Sequence, residues 1–151
     1  RQFGTGGIIK KVLPYLEPEF FIIYGDSYLN INYAAIMQYF SKTKKLGLML
    51  IHRNYNLEAK GNVILENKLI KSYNPRNWEQ DMLYSYSNAC ILSKHICELF
   101  FGQQFISLEE IFSILIEKNE LLGYEISQEN KEITASDGID KLIKYLKVLE
   151  I

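Results

Sequence analysis

Cysteine, histidine and proline are scarce in this 151-residue chain, with two, two and three copies. Cys90 and Cys97 cannot build a disulfide framework, and their spacing fits no zinc motif. Long apolar runs are missing as well. No uninterrupted stretch approaches the roughly 20 residues that cross a bilayer, and no signal-peptide pattern stands at the start. Charge of one sign is also missing. Lys plus Arg is 17 and Asp plus Glu is 18, a net charge of −1, so the basic face of a nucleic-acid binder is not expected. Repeats and low-complexity segments are absent. What remains is an apolar fraction of 48% and a charged fraction of 23%. Both are globular values, which excludes disorder. The length suits one domain over residues 1–151 with a core of its own. These readings predict a cytoplasmic protein with no membrane or nucleic-acid partner, and they leave the oligomeric state open. Residue 1 is Arg rather than Met, so the chain is expected to begin inside something longer.

Glycine punctuates the start in Phe3-Gly4-Thr5-Gly6-Gly7. A short helix is expected behind this run, with Ile8, Ile9, Val12, Leu13 and Leu16 on one side and Pro14 bending or ending it. Glu19 to Tyr24 is β-branched and aromatic and stops at Gly25, which predicts a strand buried on both faces. From Asn32 the pattern turns helical, with Ile36, Met37 and Phe40 on one face. Leu46 to Ile51 is a second buried strand. Two short runs, Asn62 to Leu65 and Leu69 to Tyr73, flank Glu66-Asn67-Lys68 and predict a hairpin. Met82 to Leu92 reads as a long strand and Ser93 to Leu99 as a helix. Ser107-Leu108-Glu109-Glu110 is a capping box before a helix with the stripe Leu108, Ile111, Phe112, Leu115 and Ile116. Leu121 to Ile126 and Lys131 to Ile133 read as strands. Ser136 caps a last helix with the stripe Ile139, Leu142, Ile143, Leu146 and Leu149. Strands alternating with helices predict an α/β layered domain with a mixed, mostly parallel sheet. Ligand sites in such sheets lie outside the carboxyl ends of the strands.

Asp26 is the sharpest chemical candidate. It follows a buried strand, and Gly25 before it lets a ligand approach the backbone. One carboxylate there suits Mg²⁺, which takes one or two protein oxygens and completes its shell with water and phosphate. The alternative is that Asp26 caps the next turn. Glu132, late in the chain near another strand end, could meet Asp26 across the sheet and share the metal, or simply be solvated in a polar stretch. The Gly4–Gly7 run offers free amides at a helix start, which favour anionic or carbonyl acceptors; otherwise it is a flexible turn. His52, His95 and Cys97 read as structural, and Tyr84, Tyr86 and Tyr124 as half-buried strand residues.

Several segments together resemble the sugar-1-phosphate nucleotidylyltransferases, in particular the heptose-1-phosphate or mannose-1-phosphate guanylyltransferase-like group. Phe3 to Pro14 resembles the family's L-G-T-G-G-A-I and the following helix ending A-L-P. Ile23-Tyr24-Gly25-Asp26 resembles V-x-N-G-D. Arg53-Asn54 and Lys60-Gly61-Asn62-Val63 resemble R-N … S-N-V. Asp81 to Asn88 falls on E-M-x-Y-I-D-Y-G, and Glu132 to Ile139 on E-I-G-S-P-E-G-L. The resemblance implies a Rossmann-like domain and transfer of a nucleoside monophosphate, GMP above others, from a nucleoside triphosphate to a sugar 1-phosphate. It implies that Asp26 and Glu132 hold Mg²⁺, that Thr5, Gly6 and Gly7 line a nucleobase pocket, and that Gly25, Asn54 and Asn62 contact the sugar or shape its pocket. It assigns no catalytic side chain. The departures are specific. The family's G-x-G-T-R-L loop and P-K-P segment lie upstream of residue 1, which predicts a domain truncated at its amino end and lacking the first strand, loop and helix. Tyr86 stands for the acid of D-Y-G and Asn88 for its glycine. Two other readings follow from these departures: a non-catalytic remnant or subunit that binds nucleotide sugars, and a metal-dependent glycosyltransferase, although Gly25-Asp26-Ser27-Tyr28 offers one acid where that class carries D-x-D.

Overall fold

Runs of β-branched and aromatic residues, broken by glycine, asparagine and charge, become strands, and stripes of period 3.6 become helices. The computed structural model describes residues 5–55, 60–100, 107–127, 131–132 and 138–148. In chain order these form α1 (Thr5–Val12), β1 (Glu19–Ile23), β2 (Ser27–Tyr28), α2 (Tyr33–Ser41), β3 (Gly47–Arg53), β4 (Val63–Glu66), β5 (Leu69–Tyr73), β6 (Tyr84–Ser93), α3 (Leu108–Glu117), β7 (Leu121–Glu125), β8 (Lys131–Glu132) and α4 (Gly138–Val148). One sheet has the order β1-β6-β3-β7-β5-β4, and β2 pairs with β8 in a separate ribbon.

The α/β architecture and the mixed sheet match expectation, but the balance of directions does not. Among the described residues β3–β7 is the one parallel pair, and the other pairings are antiparallel. The cause is the position of β6. It runs against both β1 and β3 and lies between them. β1, β3 and β7 therefore point the same way, as a crossover architecture requires, but an opposing strand separates the first two.

The helix starts near Asn32 and Ser107 and the hairpin stand where expected. Asn32 caps α2, its Oδ1 accepting from the Ala35 amide at 3.0 Å. Ser107 and Glu110 close both halves of the capping box on α3. The hairpin loop narrows to Asn67 and Lys68, both at positive φ (50° and 66°). That is the two-residue turn whose twist matches the flanking strands. Two expectations are corrected. The glycine run does not precede the first helix; Thr5, Gly6 and Gly7 are its first turn. First-turn amides lack intrahelical partners in any case, and Ile9, buried in the core, anchors the turn behind them. Lys94–Phe100 is a 3₁₀ helix rather than an α-helix. Its apolar groups Ile96 and Leu99 recur every three residues, and both pack into one core cluster. Ser136 and the residues replacing G-S-P lie outside the described residues.

β3 is covered on both faces. Met49 and Ile51 pack with Cys90, Leu92, Phe112 and Leu115 on the side of α1 and α3. Leu48 and Leu50 pack with Ala89 and Ile91 against Ile36 and Phe40 of α2. α4 stands apart from both cores. It packs on β8, with Tyr145 edge-on to Tyr28, and leaves Ile139 and Ile143 exposed. Among the described residues its expected stripe is half covered.

One buried group is out of balance. Tyr86 is expected half-buried but sits in the core between Tyr24, Tyr73 and Phe112, and its hydroxyl, beside the weakly bonding Cys90 thiol, makes no well-formed hydrogen bond among the described residues. A buried unpaired hydroxyl carries a desolvation cost of about 1–3 kcal/mol that its ring does not. Tyr86→Phe is therefore expected to raise the free energy of unfolding by about 1 kcal/mol in urea denaturation; a loss of stability would contradict the assignment. Burial also pushes the Tyr86 phenol well above its ordinary value, the Tyr73 phenol to about 12 and the Cys90 thiol to about 12. The unfolded chain releases these protons near 9.0 for the thiol and 10.0 for the phenols. Their contribution to stability is full below the lower of those values and is lost as pH rises toward 12. Urea midpoints should fall between about pH 8 and about pH 10.5, and fall less in Tyr86→Phe.

Candidate functional site

The shared direction of β1, β3 and β7 brings their carboxyl ends to one edge. β1 delivers Tyr24, Gly25 and Asp26 there, β3 delivers Arg53 and Asn54, and β7 delivers Glu125 and Ile126. β6 enters at the same edge with Tyr84 to Asn88.

Asp26 leaves β1 through a tight turn. The Tyr24 amide donates to the Asn88 carbonyl at 3.1 Å, and the Ser27 amide donates back to the Tyr24 carbonyl at 3.0 Å. The chain then enters β2, where Ser27 stands opposite Glu132 and Tyr28 opposite Lys131. Position 132 is thus the cross-strand partner of the residue next to Asp26. Asp26 belongs to the turn rather than the strand, so strand alternation does not put it on the opposite face. Asp26 is half-buried rather than packed away. A Cβ built on Gly25 would meet nothing within 4 Å, and the residue has no left-handed φ. The glycine is therefore not demanded by the backbone, and it leaves open space beside the carboxylate. Among the described residues no three His, Cys, Asp or Glu side chains come together. A metal here would rest on the Asp26 carboxylate and on oxygens of water and substrate, a set that Mg²⁺ accepts.

Asn88 explains one departure from the resembled motif. Its φ is 57°. β6 bulges there, with Ser87 to Ala89 facing Leu50 between the pairs Met49↔Cys90 and Ile51↔Tyr86. The position calls for a left-handed backbone, which glycine takes freely and asparagine tolerates better than most. The bulge aims its carbonyl at Tyr24 and so sets where Asp26 emerges.

Asn54 and Asn62 are both stitched to the start of β6. The Asn54 amide donates to the Leu83 carbonyl at 3.0 Å, and its side chain bonds Ser85. The Asn62 amide donates to the Tyr84 carbonyl at 2.8 Å, and Asn62 Oδ1 accepts from the Tyr86 amide at 2.9 Å. At least half of the Asn62 side chain thus holds a strand. Gly61 is required for that contact, since a Cβ there would lie 2.1 Å from the Met82 carbonyl oxygen. Thr5, Gly6 and Gly7 sit at the amino end of α1, on the α3 side of the sheet.

His52, read from the sequence as structural, has its Nδ1 2.9 Å from the Ser87 hydroxyl on the neighbouring strand. The available signal was the alternation Leu48, Leu50, His52, Asn54, an apolar face that turns polar at the strand end. Beside the site, Tyr24 has its phenol raised by burial first, then by the charges of Cys90, Glu109 and Asp26. The Arg53 guanidinium lies 5.8 Å from the Tyr84 ring centroid.

The fold matches solved structures that include nucleotidyltransferases. A glucose-1-phosphate thymidylyltransferase from Bacillus anthracis, crystallised with a sucrose, superposes with a TM-score of 0.75 at 12% identity over 96% of this chain and 62% of its own. HddC from Yersinia pseudotuberculosis superposes with a TM-score of 0.75 at 21% identity over 97% of this chain and 64% of its own, and it is also known in complex with GMP-PN. The inositol-1-phosphate CTP transferase of T. maritima superposes with a TM-score of 0.72 at 17% identity over 95% of this chain and 61% of its own. The chain therefore spans less than two thirds of each of these proteins. No family profile and no curated sequence matches it. Among the described residues, no helix is long and apolar enough to cross a membrane.

Proposed function

We propose that this chain acts in nucleotidyl transfer, moving a nucleoside monophosphate from a nucleoside triphosphate to a sugar 1-phosphate with Mg²⁺. The observation that carries the reading is the β2–β8 register, which puts position 132 beside Asp26 at the carboxyl edge of a nucleotidyltransferase fold. In the reaction an oxygen of the sugar phosphate forms a bond to the α-phosphorus, the bond to the β-phosphate bridge breaks, and pyrophosphate leaves. Such displacement needs positioning and charge neutralisation more than a covalent catalyst. Bound Mg²⁺ would neutralise phosphate charge and orient its oxygens. Asp26 and Glu132 would hold the ion, and the open space at Gly25 leaves room for the ligand against the backbone. The first-turn amides of Thr5, Gly6 and Gly7 would meet acceptor atoms of the nucleotide. Asn54 and Asn62 would border the sugar. GMP is the leading nucleotide, on the resemblance to guanylyltransferases and on HddC, which has been crystallised with a guanine nucleotide analogue. The reading implies a cytoplasmic protein, where these substrates are made.

A second reading, a non-catalytic binder of nucleotide sugars, is favoured by Tyr86. This residue stands for an acid of the resembled motif and is spent in the core. One assay separates the readings. With GTP, Mg²⁺ and a hexose or heptose 1-phosphate, transfer releases pyrophosphate, and omitting the sugar phosphate stops it. Binding of the nucleotide sugar with no pyrophosphate release under any nucleotide would favour the second reading. Transfer of sugar from a nucleotide sugar to an acceptor would point instead to glycosyl transfer.

A further inference from the structure

β1 ends the sheet on one side and pairs with β6 along one of its two edges. Two bonds set the phase of that pairing. The Tyr24 amide donates to the Asn88 carbonyl at 3.1 Å, and the Lys94 amide donates to the Pro18 carbonyl at 2.8 Å. Tyr24 and Pro18 therefore turn their backbone groups toward β6, and alternation gives Phe20 and Ile22 the same direction. Glu19, Phe21 and Ile23 turn their amides and carbonyls to the other edge, where no strand takes them up among the described residues. The far end of the sheet differs, since β4 folds back onto β6 through Val63 and Tyr84. Natural edge strands are commonly guarded by lysine, proline or a bulge. β1 has none of these: it reads Glu-Phe-Phe-Ile-Ile, and its register with β6 runs unbroken. Ile23 and Tyr24 at its end are each 42% exposed, and Ile8, Val12 and Tyr15 on the segment leading into it are exposed as well.

We infer that β1 pairs antiparallel with β1 of a second copy of this chain, about a two-fold axis through Phe21, joining two six-stranded sheets into one. Phe21 is the middle residue of the strand and of its outward-facing set. In this register Phe21 meets Phe21 of the second copy and Glu19 meets Ile23. Every outward amide on one copy then finds an outward carbonyl on the other. Phe20 falls opposite Ile22, so an aromatic ring meets a β-branched side chain twice. The one charge of the strand, Glu19, comes opposite Ile23 and never opposite the other Glu19, so no like charges oppose the pairing. With one such edge on each copy, the assembly closes at two chains instead of growing. The inference is independent of the nucleotidyl-transfer reading, because it uses no residue of the candidate site.

Sedimentation equilibrium of the 151-residue chain tests this. The weight-average mass should climb from one chain toward two between about 1 and about 100 µM, the range of a small interface. Ile23→Pro removes an outward amide and sets a ring on the edge while leaving the bonds to β6 in place. It should hold the chain monomeric across that range with its circular dichroism spectrum unchanged. Charge reports the register. Ile23→Glu sets like charges opposite one another at both ends of the pairing and should weaken the dimer at least about tenfold. Ile23→Lys sets a lysine opposite Glu19 and should leave the dimer within about threefold of the parent. Adding Glu19→Lys to Ile23→Glu should recover what Ile23→Glu alone loses. A parent that stays monomeric throughout, a mass that climbs past two chains, or a dimer indifferent to Ile23→Pro would overturn the inference. Equal losses in Ile23→Glu and Ile23→Lys would overturn it too, since the register would then be wrong.

Discussion

Asp26→Asn is expected to abolish Mg²⁺-dependent nucleotide binding while leaving the fold intact. Loss of a residue that merely supports a metal ligand typically costs 10–100-fold in metal affinity, so loss of a ligand itself should cost on the order of 100-fold or more. Asn keeps the size of the side chain and removes its charge, and Asp26 is half-buried in a turn, so little stability is at stake. The measurement is a titration of GTP with and without Mg²⁺, paired with a thermal melt. Binding equal to the parent's would remove Asp26 from the site. Gly25→Ala makes the complementary test. Its methyl group meets no protein atom within 4 Å, so the melt should not move. Nucleotide affinity should drop if a ligand lies against that backbone.

Phe112→Ala is expected to cost about 3–5 kcal/mol, the range for removing a fully buried aromatic ring. That is a large share of the roughly 5–15 kcal/mol that holds most domains together. Phe112 is 1% exposed, and its ring stands 5.6 Å from Tyr73 and 5.5 Å from Tyr86. It therefore supports β5 and β6 as well as α3, and through β6 the bulge that sets where Asp26 emerges. Urea denaturation followed by far-ultraviolet circular dichroism reads the effect. A cost under about 1 kcal/mol would mean that the neighbouring rings collapse into the space with little loss.

The legible part of this protein is the part governed by near neighbours along the chain. Asn32 and Ser107 announce helix starts because a capping side chain bonds an amide three residues on. Asn67-Lys68 marks the hairpin because those two residues must take a left-handed backbone. The stripes of α2 and α3 follow from period alone. Tyr86 lies deeper than its strand position predicts for the opposite reason: its burial depends on Tyr24, Tyr73 and Phe112, which arrive from three other parts of the chain. The His52–Ser87 pair was invisible in the same way, since 35 positions separate its members and only strand pairing joins them.

Local sequence dictates that strands and helices alternate, where most of them begin, that β3 is buried on both faces, and that an acid follows the first long strand. These depend on backbone dihedrals, capping bonds and side-chain periodicity, all set within a few residues. β1, expected to be buried on both faces, instead lies at the sheet edge with Phe20 buried and Ile23 exposed. Only the tertiary structure decided that β6 runs between β1 and β3, turning a sheet expected to be mostly parallel into a largely antiparallel one. It alone decided that Ser27 meets Glu132 and that a bulge at Asn88 positions the turn carrying Asp26. Pairing between distant strands is chosen by how two faces bury their apolar surface together, and that is a property of the whole packed chain.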